Sequence, residues 1–140
     1  MITKGQILYF TPPKFADGTS NANKRLMLII DVDNDLNTVS LLNITKLFGK
    51  ARQINWRYNK LIKNFYPPLP VPSFVKLDSI YIVENFSKLK RALYSSGDMI
   101  NNNDFKSIIK ARKEYIAANG SCSDIYFSKQ DLIPLNSDFQ

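Results

Sequence analysis

Arg25-Leu26-Met27-Leu28-Ile29-Ile30-Asp31-Val32 is followed, after Asp33-Asn34-Asp35-Leu36-Asn37, by Thr38-Val39-Ser40-Leu41-Leu42-Asn43-Ile44-Thr45. The first run is almost continuously apolar, the pattern of a buried central strand. The second alternates well enough for a half-buried strand, and the Asp- and Asn-rich segment between them is turn chemistry. The two runs predict an antiparallel hairpin. Arg25 begins one strand and Thr45 ends the next. Both therefore lie at the end away from the turn, where they come close in space.

Working outward, Gln6-Ile7-Leu8-Tyr9-Phe10 reads as a short strand stopped by Pro12-Pro13. The loop from Lys14 to Asn23 is polar, and its Gly, Ser and Asn content predicts a mobile segment. A fourth strand is expected around Arg52–Arg57. Prolines 67, 68, 70 and 72 bar an interior strand or helix, so that segment reads as an extended connector. Ser73–Lys76 and Ser79–Glu84 read as strands, and Ser87–Lys90 as a short turn of helix. The strongest helix signal covers Asn101–Asn119. Asn101 is its cap, Asp104 the acid of a capping box, and Ile100 with Phe105 a hydrophobic staple. Its apolar stripe is Phe105, Ile108, Ile109, Tyr115 and Ile116, and Gly120 suits a left-handed cap at the far end. Ile125-Tyr126-Phe127 reads as an extra strand or a docking segment. The expectation is an α+β fold, a partly open β-barrel of five to seven short strands with a C-terminal helix. One domain spans residues 1–120. Residues 121–140 form an extension that packs on the body or is partly disordered.

Composition narrows the chemistry. The chain has 140 residues with 44% hydrophobic and 22% charged, the balance of a globular domain of ordinary size. It has no His and a single Cys, Cys122, which excludes His-based catalysis, an intrachain disulfide and a Cys-rich zinc site. No apolar run reaches the ~20 residues of a membrane span, and Met1–Gln6 lacks a signal-peptide apolar region. A reducing cytoplasm is the expected setting, with no cofactor and no membrane contact. Net charge is +7, and six cations lie between Lys46 and Lys63 with no acid among them. Aromatic residues Phe48, Trp56 and Tyr58 are interleaved there. Basic charge with exposed rings favours a polyanionic partner.

A His-free basic domain can bind nucleic acid, and it can also cleave RNA, which carries its own nucleophile in the 2′-hydroxyl. The protein must then align that oxygen with phosphorus, stabilise the charge on the phosphorane and help protons move. A guanidinium suits the charge task because its fork matches phosphate oxygens. A hydroxyl such as that of Thr45 suits a phosphate oxygen or the 2′-hydroxyl.

Three blocks of the chain carry a likeness to a known family. They are Thr3-Lys4-Gly5-Gln6-Ile7-Leu8-Tyr9-Phe10, the hairpin from Lys24 to Thr45, and Val75–Glu84 with the helix that follows. In order and spacing this resembles the MazF/PemK-type toxins of bacterial toxin–antitoxin systems, over roughly residues 2–118. The resemblance implies an SH3-like barrel, a homodimer and a metal-independent endoribonuclease acting on single-stranded RNA. Its products carry a 2′,3′-cyclic phosphate and a 5′-hydroxyl, and its activity is blocked by an antitoxin, in all expectation an acidic protein. The family's key Arg falls on Arg25 and its key Thr on Thr45.

The chain departs from the pattern at Leu26, where a Pro is usual, at Gln6, where an acid is usual, and before Arg25. There the loop offers Ser20, Asn21 and Asn23, with Asp17 further back. Asp17 is the candidate base or gate residue, and stabilisation without any base is the alternative. RNA contacts are assigned to Lys14, Lys24, Lys46, Lys50, Arg52, Trp56 and Arg57. Two other functions stay open: a barrel that binds nucleic acid without cutting it, and a toxin directed at a protein such as a DNA topoisomerase.

Overall fold

The computed structural model describes residues 1–49 and 51–140. Seven strands build one sheet: β1 (Ile7–Phe10), β2 (Arg25–Asp33), β3 (Thr38–Lys46), β4 (Asn59–Ile62), β5 (Ser73–Lys76), β6 (Ser79–Glu84) and β7 (Ser123–Phe127). The main path runs β1-β2-β3-β5-β4, while β6 pairs with β3 and carries β7. Every pairing is antiparallel except β6 with β7, which is parallel. Helix α1 (Asn102–Ala117), the short α2 (Lys129–Leu132) and several 3-10 turns complete an α+β fold.

The predicted hairpin is the centre of the sheet. Leu26 faces Ile44 and Asp33 faces Thr38, with one irregularity between Ile29 and Asp31. β3 then serves two partners. Its last residues pair with β5, from Ile44 opposite Val75 to Lys46 opposite Ser73. Its first residues pair with β6, from Thr38 opposite Glu84 to Leu41 opposite Tyr81. Asn43 lies where the two partners part.

Alternation along the strands separates two cores. On one face Leu8, Phe10, Met27, Ile29, Leu41, Tyr81 and Val83 pack with Leu89 and Ala92 of a 3-10 turn and with Leu132 and Phe139 of the C-terminal segment. On the other, Ile7, Leu28, Leu42, Ile62 and Val75 pack with Ile100 and Ile108 under α1. Each such side chain, once fully buried, contributes roughly 1.5–3 kcal/mol. The extension from residue 121 packs on the body. Buried Asn136 accepts from Thr11 N at 2.7 Å and donates to Thr11 O at 3.0 Å and Leu132 O at 2.8 Å. Phe139 meets the rings of Phe10 and Phe86, with centroids 6.3 and 5.1 Å apart.

Several local expectations are corrected. The fourth strand is Asn59–Ile62, and residues 51–57 lie in turns and irregular chain instead. Asn55 explains the shift. Its side chain accepts from Arg57 N at 3.0 Å and its carbonyl accepts from Asn59 Nδ2 at 2.8 Å, local bonds that compete with a ladder. Asn101 caps α1, accepting from the backbone N–H groups of Asn103 and Asp104. Asp104 does not complete a capping box, because its buried carboxylate accepts from Asn64 N at 2.7 Å and ties the helix to the end of β4. The left-handed residue after α1 is Asn119 (φ 61°) rather than Gly120. Gly120 is needed because the Tyr115 ring occupies the space a Cβ would take. Ile116 is exposed rather than in the core. The proline segment folds into a turn, with Leu69 N donating to Phe65 O at 2.9 Å and Leu69 buried.

Candidate functional site

The end of the first face near Arg25 is built from cross-strand rows. In one row Phe10 faces Arg25 on β2, and Thr45 faces Phe74, which faces Leu61 on β4. Arg25 and Thr45 stand opposite each other one step beyond the Leu26–Ile44 pair. Residues opposed in this way share a face with Cβ atoms roughly 4.5–5.5 Å apart. The neighbouring row runs from Leu8 to Met27 to Asn43, and from Lys76 to Asn59. The pairing of β3 with β5 ends at Ile44–Val75, and Asn43 lies just past that end on the face of Lys76. Four strands thus bring Arg25, Thr45, Asn43, Lys76 and Asn59 onto one side of the sheet, the side that also carries Phe74.

Arg25 is half-buried and held without a carboxylate. Its Nε donates to Asn21 Oδ1 at 3.1 Å, and its guanidinium lies 5.0 Å from the centre of the Phe15 ring. Asp31, an obvious partner by sequence, pairs with Lys4 at 3.8 Å instead. Among the described residues no acid lies within ion-pair distance of Arg25, so both terminal nitrogens keep their charge for an external anion. Asn21 in turn donates to Pro12 O at 2.9 Å and Asn23 O at 2.7 Å. These two carbonyls fix which end of the amide is oxygen.

The loop that carries these groups is a small hairpin in itself. Lys14 bridges to Ser20, Phe15 N donates to Thr19 O at 2.8 Å, and Ala16 N donates to the Tyr81 hydroxyl at 3.0 Å. The polar composition that suggested a mobile segment therefore serves internal hydrogen bonds. Burial is the main cause that pushes the Tyr81 phenol above its usual value, so it stays protonated. Asp17 sits exposed at the tip, accepting from Thr19 Oγ1 at 2.7 Å and Thr19 N at 2.9 Å. These bonds, the side-chain one foremost, lower its pKa. A carboxylate stabilised in its charged form is a weak proton acceptor.

A cleft of about 310 Å³ crosses the ends of β2 and β3, lined by Tyr9, Lys24, Arg25, Leu26, Ile44, Thr45 and Lys46. Lys24 lies 5.3 Å from the Tyr9 ring centre and 3.5 Å from Asp138 of the C-terminal segment. Of the residues assigned by sequence, Arg25, Thr45, Lys24 and Lys46 meet in this cleft. Lys14 and Asp17 are exposed on the loop. Trp56, 45% exposed, stands edge-on to Phe74 with centroids 6.0 Å apart, next to exposed Arg57. Arg52 is exposed in the turn before it. Lys50 lies outside the described residues. No protein-family model matches the chain, and no curated protein matches it.

Sequence reasoning missed Asn21, Phe15, Asn43, Phe74, Lys76 and Asn59. Period-two alternation back from Thr45 reaches Asn43 and could have found it. Asn21 and Phe15 join through the loop that leads into Arg25, and the rest only through register between strands distant in sequence. Asn43 and Asn59 are each 6% exposed, and the Oδ1 of each has no hydrogen-bond partner among the described residues. Among those residues, no cluster of three or more Cys, Asp or Glu is placed to hold a metal ion. No described helix is long and apolar enough to cross a membrane.

Proposed function

We propose that this protein is the toxin of a toxin–antitoxin pair and cleaves single-stranded RNA by using the RNA's own 2′-hydroxyl. The observation that carries this reading is an unneutralised guanidinium, clamped by Asn21 and Phe15, that lines one cleft together with Thr45 of the adjoining strand. One phosphate would bridge side chains that rise from such an opposed pair, whose Cβ atoms stand roughly 4.5–5.5 Å apart. Arg25 would donate to the non-bridging oxygens as charge grows on the phosphorane, and Thr45 would hold an oxygen or the attacking hydroxyl. The 2′-oxygen bonds to phosphorus while the bond to the 5′-oxygen breaks, leaving a 2′,3′-cyclic phosphate and a 5′-hydroxyl. The 2′ proton passes to solvent, and a solvent proton completes the leaving 5′-oxygen. Asp17 is not given the role of base, since its lowered pKa opposes it.

The same reading takes the bent sheet as an SH3-like, partly open barrel, working as a cytoplasmic homodimer under an acidic antitoxin protein. No metal is needed when a guanidinium meets the charge. The test is incubation with single-stranded RNA in excess chelator, with products analysed for 5′-hydroxyl and cyclic-phosphate ends. Arg25→Ala is expected to lose about 10²–10³ in rate, the cost of one preorganised donor to developing negative charge. Absence of wild-type cleavage, or full activity in Arg25→Ala, overturns the proposal. The engaged state of Asp17 favours one second reading, a fold that grips RNA without cutting it; that reading predicts salt-sensitive retention and no product.

A further inference from the structure

The cleft that holds Arg25 and Thr45 is bounded by Lys46, and the next residue opens a second cavity. Leu47 N donates to Pro72 O at 2.9 Å, which extends the direction of β3 one residue past its last ladder pair and ties it to the end of the proline segment. The chain then turns at Gly49 (φ 59°), in the left-handed region that suits glycine. Among the described residues no heavy atom stands within 4 Å of where a Cβ on Gly49 would lie. The walls on either side of the tie enclose about 300 Å³, lined by Leu47, Phe48, Gly49, Ala51, Val71 and Pro72. None of these six carries a polar side chain. Leu47 and Val71 are half-buried, and Phe48 is 69% exposed, an open ring on the rim of an apolar cavity.

The surroundings decide what such a cavity takes. Thr45 and Leu47 are two residues apart on extended chain, so they rise on the same face about 6.5–7 Å from each other. The stretch from Lys46 to Lys63 holds six cations and no acid, a setting that draws a polyanion rather than an apolar peptide. An anion cleft that passes directly into an apolar cavity with a free aromatic ring matches the two halves of a nucleotide, a phosphate and a flat ring. We propose that Phe48, with Leu47, Val71 and Pro72, forms a base-stacking subsite for the nucleoside next to the phosphate held by Arg25 and Thr45. With no polar side chain among its walls, the subsite does not read base edges; it favours purines over pyrimidines because the larger ring covers more apolar surface. The subsite rests on the RNA reading for its ligand and does not require cleavage.

The experiment is equilibrium binding to the full chain of three short 2′-O-methyl strands of equal length: oligoadenosine, oligouridine and a strand of abasic sugars. None can be cut by 2′-attack, and all carry the same number of phosphates. Affinity is expected to fall in that order, with adenosine at least fivefold above the abasic strand. Phe48→Ala is expected to weaken oligoadenosine binding roughly 5- to 100-fold, the worth of one stacked base, and to leave the abasic strand unchanged. Phe48→Trp restores the adenosine affinity. Because the Phe48 ring is mostly in water, the unfolding midpoint of Phe48→Ala stays near that of the wild type. Tyr126→Ala removes an exposed ring from β7, on the other wing of the sheet, and changes no affinity. Equal binding of oligoadenosine and the abasic strand overturns the subsite and leaves the RNA reading standing. A loss in Phe48→Ala that is the same on the abasic strand, or an equal loss in Tyr126→Ala, also overturns it. Uridine bound more tightly than adenosine overturns the purine preference, and with it stacking as the source of affinity. Failure to bind any of the three strands overturns the RNA reading as well.

Discussion

Arg25 owes its availability to Asn21. An amide at this position accepts from Arg25 Nε and Asn23 N, and donates twice, to Pro12 O and Asn23 O. No carboxylate can do both. In Asn21→Asp the new charge would neutralise the guanidinium and face two carbonyl oxygens, so the loop loses its tie while Arg25 gains an internal rival. Affinity for a non-cleavable RNA is expected to fall at least tenfold, more than in Asn21→Ala, since charge-assisted bonds are roughly twice as strong as neutral ones. A binding titration of the two variants decides it, and equal losses would show that the amide only holds the loop. Asp17 adds a pH prediction. Its folded pKa is depressed by Thr19, so the stabilisation it gives the loop tip is present above the unfolded value and fades as pH falls through the folded one. It therefore stays ionised through the neutral range. Cleavage rate plotted against pH is expected to keep its shape around neutrality in Asp17→Asn; loss of a limb there would restore Asp17 as the base.

Among the elements, the C-terminal segment is the one whose importance is hardest to foresee. Phe139 is 1% exposed and closes the first core against Phe10 and Phe86, while Asn136 occupies both backbone groups of Thr11 at the end of β1. Phe139→Ala is expected to cost about 3–5 kcal/mol in a urea titration, the range for a buried aromatic, whereas Leu135→Ala on the exposed side of the same segment is expected to cost under about 0.5 kcal/mol. Equal effects would place the segment outside the core. The hairpin, the strands at Ser73–Lys76 and Ser79–Glu84, and the capped helix were legible because local patterning and tertiary burial agree there. Hairpin geometry alone puts Arg25 and Thr45 at one end of the sheet, whereas their roles rest on the family resemblance. β4 was not legible, because Asn55 diverts the preceding residues into turns through bonds that no hydrophobic period reveals. The pairing of Lys76 with Asn59 depends on that missed strand, so this side of the sheet was hidden with it.

At the scale of the molecule, the +7 charge is not spread evenly over functional surface. Lys24 and Lys46 line the cleft with Arg25, whereas Lys106, Lys110 and Lys113 sit on α1 beside Ile109, on a helix packed on the opposite core. A cation contributes to RNA affinity through the counterion it displaces, and each phosphate neutralised on a single strand steepens the dependence of log K on log salt by about 0.7. Lys24→Gln with Lys46→Gln is expected to reduce that slope by about 1.4, while Lys110→Gln with Lys113→Gln changes charge by the same amount and leaves the slope within error. Net charge alone would make the two pairs equivalent; the sheet makes them different. Asp138 offers the converse check. It holds Lys24 at 3.5 Å, with both side chains about half exposed, so the pair is weakly worth having and easily exchanged for a phosphate. Asp138→Asn frees that cation and is expected to tighten RNA binding at low salt, with the gain vanishing as salt rises. Equivalent slopes for the two lysine pairs would mean that RNA is drawn to the whole surface rather than to the cleft where β2 and β3 end.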